Sequence, residues 1–146
     1  MASIMPSDVG AAVVNRWNSA SLDSNIPGSI KTGLGVAPKS SPYAMLKVKG
    51  SKDPQFYTEA GAGAPYIAYF QVTVQLYGVG EVVIGNLLKT VASALNQQDW
   101  SVTGGTFQHA YLAGGSPTLE LDPSRKSGED VWIGTLIYDV AVSGTL

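Results

Sequence analysis

The strongest candidate for chemistry is Gly33-Leu34-Gly35-Val36-Ala37-Pro38-Lys39-Ser40, which is one glycine short of a phosphate-binding loop. Such a loop holds phosphate with consecutive backbone N–H groups and runs from a strand into a helix. Pro38 stands where the second glycine belongs and removes one of those donors. Pro42 follows closely and no apolar strand precedes the segment, so nucleotide binding is not expected. His109 is the single histidine. As a general base it would need a nucleophile and an orienting carboxylate, and its neighbours Gln108 and Ala110 supply neither. A sheet-facing or interface position is expected for it. Glu120, Asp122, Glu129 and Asp130 flank a turn that also carries Arg125 and Lys126. A calcium loop needs regularly spaced oxygen ligands around a glycine turn. The interleaved cations point instead to solvated charge or to salt bridges between subunits. Trp17, Trp100 and Trp132 could stack on bases or sugars, but without a basic groove core or interface packing is expected.

The chain has no cysteine, which excludes a disulfide framework, a thiolate metal site and a cysteine nucleophile together. Its formal net charge is −2, with the basic residues scattered, so phosphate neutralisation is not its main activity. Apolar residues make up 45% and charged residues only 14% of its 146 residues. A typical soluble domain carries about 25% charge. The shortfall is met either by Ser, Thr, Gln and Gly or by covering part of the surface with another protein. The N-terminus lacks the basic and apolar runs of a secretory signal, and no window reaches the ~20 apolar residues that span a bilayer. The expectation is a protein made in a cytoplasm, with no cofactor, no metal and no membrane partner.

The elements that would position these residues can be read from period and punctuation. Residues 8 to 19 form a short helix, with Val9, Val13 and Trp17 on one stripe. Residues 20 to 42 and 50 to 64 read as long loops, and 43 to 49 as a strand. The clearest strand is Tyr66 to Tyr77, where Ala68, Phe70, Val72, Val74 and Leu76 alternate with Ile67, Tyr69, Gln71, Thr73, Gln75 and Tyr77. A helix over 82 to 97 carries Ile84, Leu88, Val91 and Leu95. Strands over 105 to 113, 118 to 122 and 131 to 142 complete the chain.

This order, α-β-β-α-β-β, predicts a single α+β domain over residues 1–146. Its sheet is mainly antiparallel, four-stranded or slightly larger, with two helices on one face and long loops. The even-numbered residues of the 66–77 strand should meet the helices. The other face is also bulky, with Ile67, Tyr69 and Tyr77, and the last strand has apolar residues at both parities, Trp132 among them. Such a face is either an interface or is covered by loops 20–42 and 50–64 acting as a lid. The interface candidates are Tyr69, Tyr77, Ile67, Trp132, Arg125 and Lys126.

Several features together resemble one family. They are the helix ending in Arg16-Trp17, the run Ser41-Pro42-Tyr43-Ala44-Met45-Leu46-Lys47-Val48, and the Tyr66–Tyr77 strand. A helix ending in Leu95-Asn96 follows, with Trp100 close behind, then Gly128-Glu129-Asp130-Val131-Trp132 and the closing Tyr138-Asp139-Val140-Ala141-Val142. In pattern, length and element order the chain resembles the tail terminator and tail-completion proteins of long-tailed bacteriophages, the group of the lambda minor tail protein U. That resemblance implies a non-enzymatic virion subunit at the head-tail junction. It would form a ring with copies of itself, typically sixfold, on the last ring of a tail tube. Its other partners would be the tail-tube protein and a neck or head-completion protein, with DNA passing the lumen without sequence-specific binding. The alternatives are another neck, head-completion or tail-tube subunit, or a small-ligand module with a cleft under loop 20–42.

Overall fold

A computed structural model describes residues 4–32, 42–56, 64–96, 100–122 and 130–145, with Gln55 and Phe56 described in their backbone alone. Helix α1 spans Pro6–Ser19. Pro6 occupies its first turn, where a missing N–H costs nothing, and the Asp8 carboxylate accepts the Met5 N–H at 2.8 Å. Strand β1 (Ile30–Thr32) pairs in parallel with β2 (Tyr43–Phe56). β2 runs antiparallel to β3 (Pro65–Val79). Helix α2 (Glu81–Leu95) follows at once, because Gly80 turns the chain at φ +94°, a region that favours glycine.

β4 (Thr106–Leu112) and β5 (Thr118–Leu121) both pair antiparallel with the last strand, β6 (Val131–Thr145), lying one after the other along the same side of it. β6 in turn pairs with β3 along its whole length. The sheet therefore has six strands in the order β1-β2-β3-β6-β4, with β5 beside β6. This is the expected α+β class, with a mostly antiparallel sheet and two helices on one face. Among the described residues no helix is long and apolar enough to cross a membrane.

The alternation of β3 decides where the core lies. Tyr66, Ala68, Phe70, Val72, Val74 and Leu76 are buried, while their odd-numbered neighbours are half-buried. α1 lies against β2, and α2 lies against β3 and β6. α2 contributes Ile84, Leu88, Val91 and Leu95 to the core, and α1 contributes Val9, Ala12, Val13 and Trp17. The Arg16 side chain ties the helices together, its Nε donating to the Ala94 carbonyl at 2.8 Å. Trp100 is fully buried and donates its indole N–H to the Leu95 carbonyl at 3.0 Å, which satisfies one carbonyl at the end of α2. Trp17 donates in the same way to Asp23 Oδ1 at 2.7 Å. These two tryptophans are core residues with satisfied donors.

Two expected loops are partly regular structure. Residues 20–32 hold a single 3-10 turn (Leu22–Ser24) and β1, with Leu22, Ile26 and Ile30 buried in the core. They are anchored by side chains spaced four apart, a period that the intervening Ser, Asn, Pro and Gly residues obscure. Residues 50–56 continue β2 instead of leaving the sheet. Register shifts between Gly50 and Lys52, and between Lys52 and Gln55, place Pro54 within an irregular stretch, where a missing N–H is tolerated. The phosphate-loop look-alike at 33–40 lies outside the described residues.

Candidate functional site

The sheet face turned away from the helices is built from odd-numbered residues of β2, β3 and β6. Register brings Tyr43 opposite Tyr77, and Tyr77 opposite Ile133. The Tyr43 and Tyr77 rings stack with centroids 5.0 Å apart and planes 7° from parallel. The Tyr77 hydroxyl donates to Gln75 Oε1 at 3.1 Å. Partial burial raises the pKa of both phenols. For Tyr43 the Asp122 carboxylate adds to the rise, and for Tyr77 its partner Tyr43 and then Asp122 do so. An aromatic pair beside a carboxylate therefore sits at one end of the face.

The other end is organised around Tyr69. Lys52, brought level with it across the irregular part of β2, places its Nζ 4.0 Å from the ring centroid, within cation–π range. Ile67 lies two residues back on the same face, opposite Ser143. On β4 the His109 and Tyr111 rings stack at 4.5 Å, and Tyr111 is 62% exposed. His109 lies opposite Ala141, which gives it the sheet-facing position expected from the sequence.

The fold thus brings Ile67, Tyr69 and Tyr77 onto one face but separates Trp132 from them. Trp132 pairs with Gly78, on the helix-packed side of β6, and packs against the core. Both parities of β6 are bulky, so only the register with β3 could decide its side. Arg125 and Lys126 lie outside the described residues.

Sequence reasoning also missed an exposed apolar tip where β3 turns into α2. Val79, Val82 and Val83 are 59%, 74% and 53% exposed there. The signal was available, since Val82 and Val83 precede the Ile84-Leu88-Val91-Leu95 stripe and lie off it.

Among the described residues no catalytic arrangement accompanies these surfaces. Among the described residues no three His, Asp or Glu side chains gather in a way that could hold a metal ion. A groove of about 910 Å³ opens between α1 and β2, with Ala11, Val14, Leu46 and Val48 in its lining and Lys47 and Lys49 at its side. His109 and the acidic residues do not line it, so its two lysines have no histidine or carboxylate beside them in the groove.

No protein-family model matches the chain, and no curated protein matches it. Among solved structures it is similar to a chain in the virion of a native gene transfer agent particle. The similarity covers 92% of this chain and 93% of that one, with a TM-score of 0.61 and 18% sequence identity. Likeness at this identity establishes a shared fold.

Proposed function

We propose that this chain is a non-catalytic structural protein of a phage-like virion. Within the particle, it caps the head-proximal end of the tail tube as a ring and offers a surface to the neck. The observation that carries this reading is the fold shared, nearly end to end, with a chain of the gene transfer agent virion. Three further features support it. The outer sheet face carries aromatic residues in place of a uniformly polar surface. Val79, Val82 and Val83 expose an apolar tip of the kind that docking surfaces use. The sequence pattern resembles that of tail terminators.

In this role the partners are further copies of the chain, the tail-tube protein and a neck or head-completion protein. No cofactor or metal is required, and DNA passes the ring without base recognition. Immunogold labelling of assembled particles tests the placement. The label should fall at the head-tail junction. Label spread along the tail would instead indicate a tube subunit, and label over the head would overturn the reading.

A further inference from the structure

The sheet is charged oppositely at its two sides. Residues 30–79 carry five lysines against two acids, whereas residues 100–146 carry five acids against two basic residues. Among the described residues the fold turns this asymmetry into a spatial one, because β1 and β2 lie at one side of the sheet and β4 and β5 at the other. Lys31, Lys47 and Lys49 are exposed on β1 and β2, and Glu120 and Asp139 are exposed on β5 and β6. Among the described residues Asp53 is the one acid on β1–β3, and no lysine or arginine lies on β4–β6. Register puts the two sets on the same outer face. Lys49 is level with Gln71 and Asp139, and Glu120 is level with Ile133 and Tyr77.

We propose that the lysine-bearing β1–β2 side of one copy packs against the acidic side of a second copy, formed by Glu120 of β5 and Asp139 of β6, head to tail. A two-fold contact made edge to edge would set lysines against lysines or acids against acids, which opposes it. Of the contacts made edge to edge, only the head-to-tail one pairs opposite charges. It also leaves one side of each kind free, so assembly propagates until it closes on itself. Lysines on a sheet edge commonly prevent edge-to-edge association. Here they block the symmetric contact, and the acidic side supplies the partner they accept. Closure into a ring rests on the function proposed above; the charged contact itself does not. Because exposed charges carry the contact, it weakens as salt shortens the Debye length from ~30 Å at 0.01 M to ~3 Å at 1 M.

Two measurements on the full chain test the proposal. In the first, isotopically light and heavy protein are mixed at low salt and treated with a reagent that joins carboxylates directly to amines. Mass spectrometry should find mixed-isotope peptides linking Lys47 or Lys49 to Glu120 or Asp139. In the second, Lys47→Glu/Lys49→Glu and Glu120→Lys/Asp139→Lys variants are sedimented separately and together. Each variant alone should be monomeric, and an equimolar mixture should recover the native association, since each supplies the charge the other lacks. Circular dichroism confirms that both variants are folded. The proposal is overturned if the native chain gives no mixed-isotope link between these residues. It is equally overturned if the native oligomer survives both charge reversals, or if the mixture of folded variants stays monomeric. Linked copies combined with label away from the head-tail junction would keep this contact and remove the terminator reading; the opposite combination would remove only the contact.

Discussion

Leu88 of α2 lies on the bare backbone of Gly134 in β6, where an added Cβ would stand 3.0 Å from Leu88 Cδ1 and 3.3 Å from Ile84 Cγ2. The helix approaches the sheet closely because β6 has no side chain beneath it at this position. Two substitutions probe the contact from opposite sides. Leu88→Ala opens a cavity and should destabilise the protein by about 2–5 kcal/mol. Gly134→Val forces the helix outward and should destabilise it by about 1–3 kcal/mol. Urea denaturation measures both, and a loss below ~1 kcal/mol for Leu88→Ala would mean that α2 buries a different face.

Tyr138 gives a pH-dependent prediction. Its side chain is fully buried, and its hydroxyl has no hydrogen-bond partner among the described residues. Burial pushes its pKa from 10.0 up to about 12. The unfolded chain therefore loses this proton at lower pH than the folded one. The stability tied to it is fully present below pH 10.0 and is lost as pH rises towards about 12. Tyr138→Phe removes the unpaired hydroxyl and should stabilise the protein by roughly 1 kcal/mol at neutral pH. The advantage of the variant should widen through the alkaline window, as followed by denaturant melts at several pH values. A variant clearly less stable than the native protein at neutral pH would show that the hydroxyl has a partner.

The segment from Leu22 to Ile30 should behave as core. Leu22 and Ile26 are 3% and 0% exposed, so Ile26→Ala should destabilise the protein by about 2–5 kcal/mol. The Ile26 amide donates to the Leu22 carbonyl at 3.0 Å and should exchange with solvent slowly. Exchange as fast as in an unstructured peptide would show that this segment is not packed on α1.

What the sequence disclosed follows the strength of local pattern. β3 and α2 were legible because strict alternation and a clean helical stripe each repeat several times, which fixes both the element and its buried face. β1 was not, because three residues have no period, and its partner strand begins more than ten residues later. The end of β2 was hidden by Gly50 and Pro54, which break most strands but are accommodated here by the register shifts. The candidate surface was half legible. Ile67, Tyr69 and Tyr77 share a face by simple parity, whereas the side on which Trp132 falls depends on a long-range register. The opposed charges of the two sheet sides depend on strand order, which composition does not encode.

The outer face can be altered without disturbing the core. Tyr69→Glu places an acid beside Lys52, and Tyr77→Lys places a base beside Asp122, so each new charge meets an opposite one. Losing the Tyr43–Tyr77 stack should cost about 0.5–1.5 kcal/mol, leaving the fold intact. If this face docks a partner, the doubly substituted protein should be folded by circular dichroism yet fail to join particles in a complementation assay. Full complementation would remove this face from the docking surface while leaving the proposed role in place.

Tail length in particles assembled without this protein tests the proposed function most directly. A terminator acts only when the tube reaches its proper length, so its removal should leave tube subunits free to keep adding. Electron microscopy of a deletion strain should show tails that overrun their normal length or stand unattached to heads, and supplying the native chain should restore both length and attachment. Tails of normal length, joined to heads in the absence of the chain, would contradict the account.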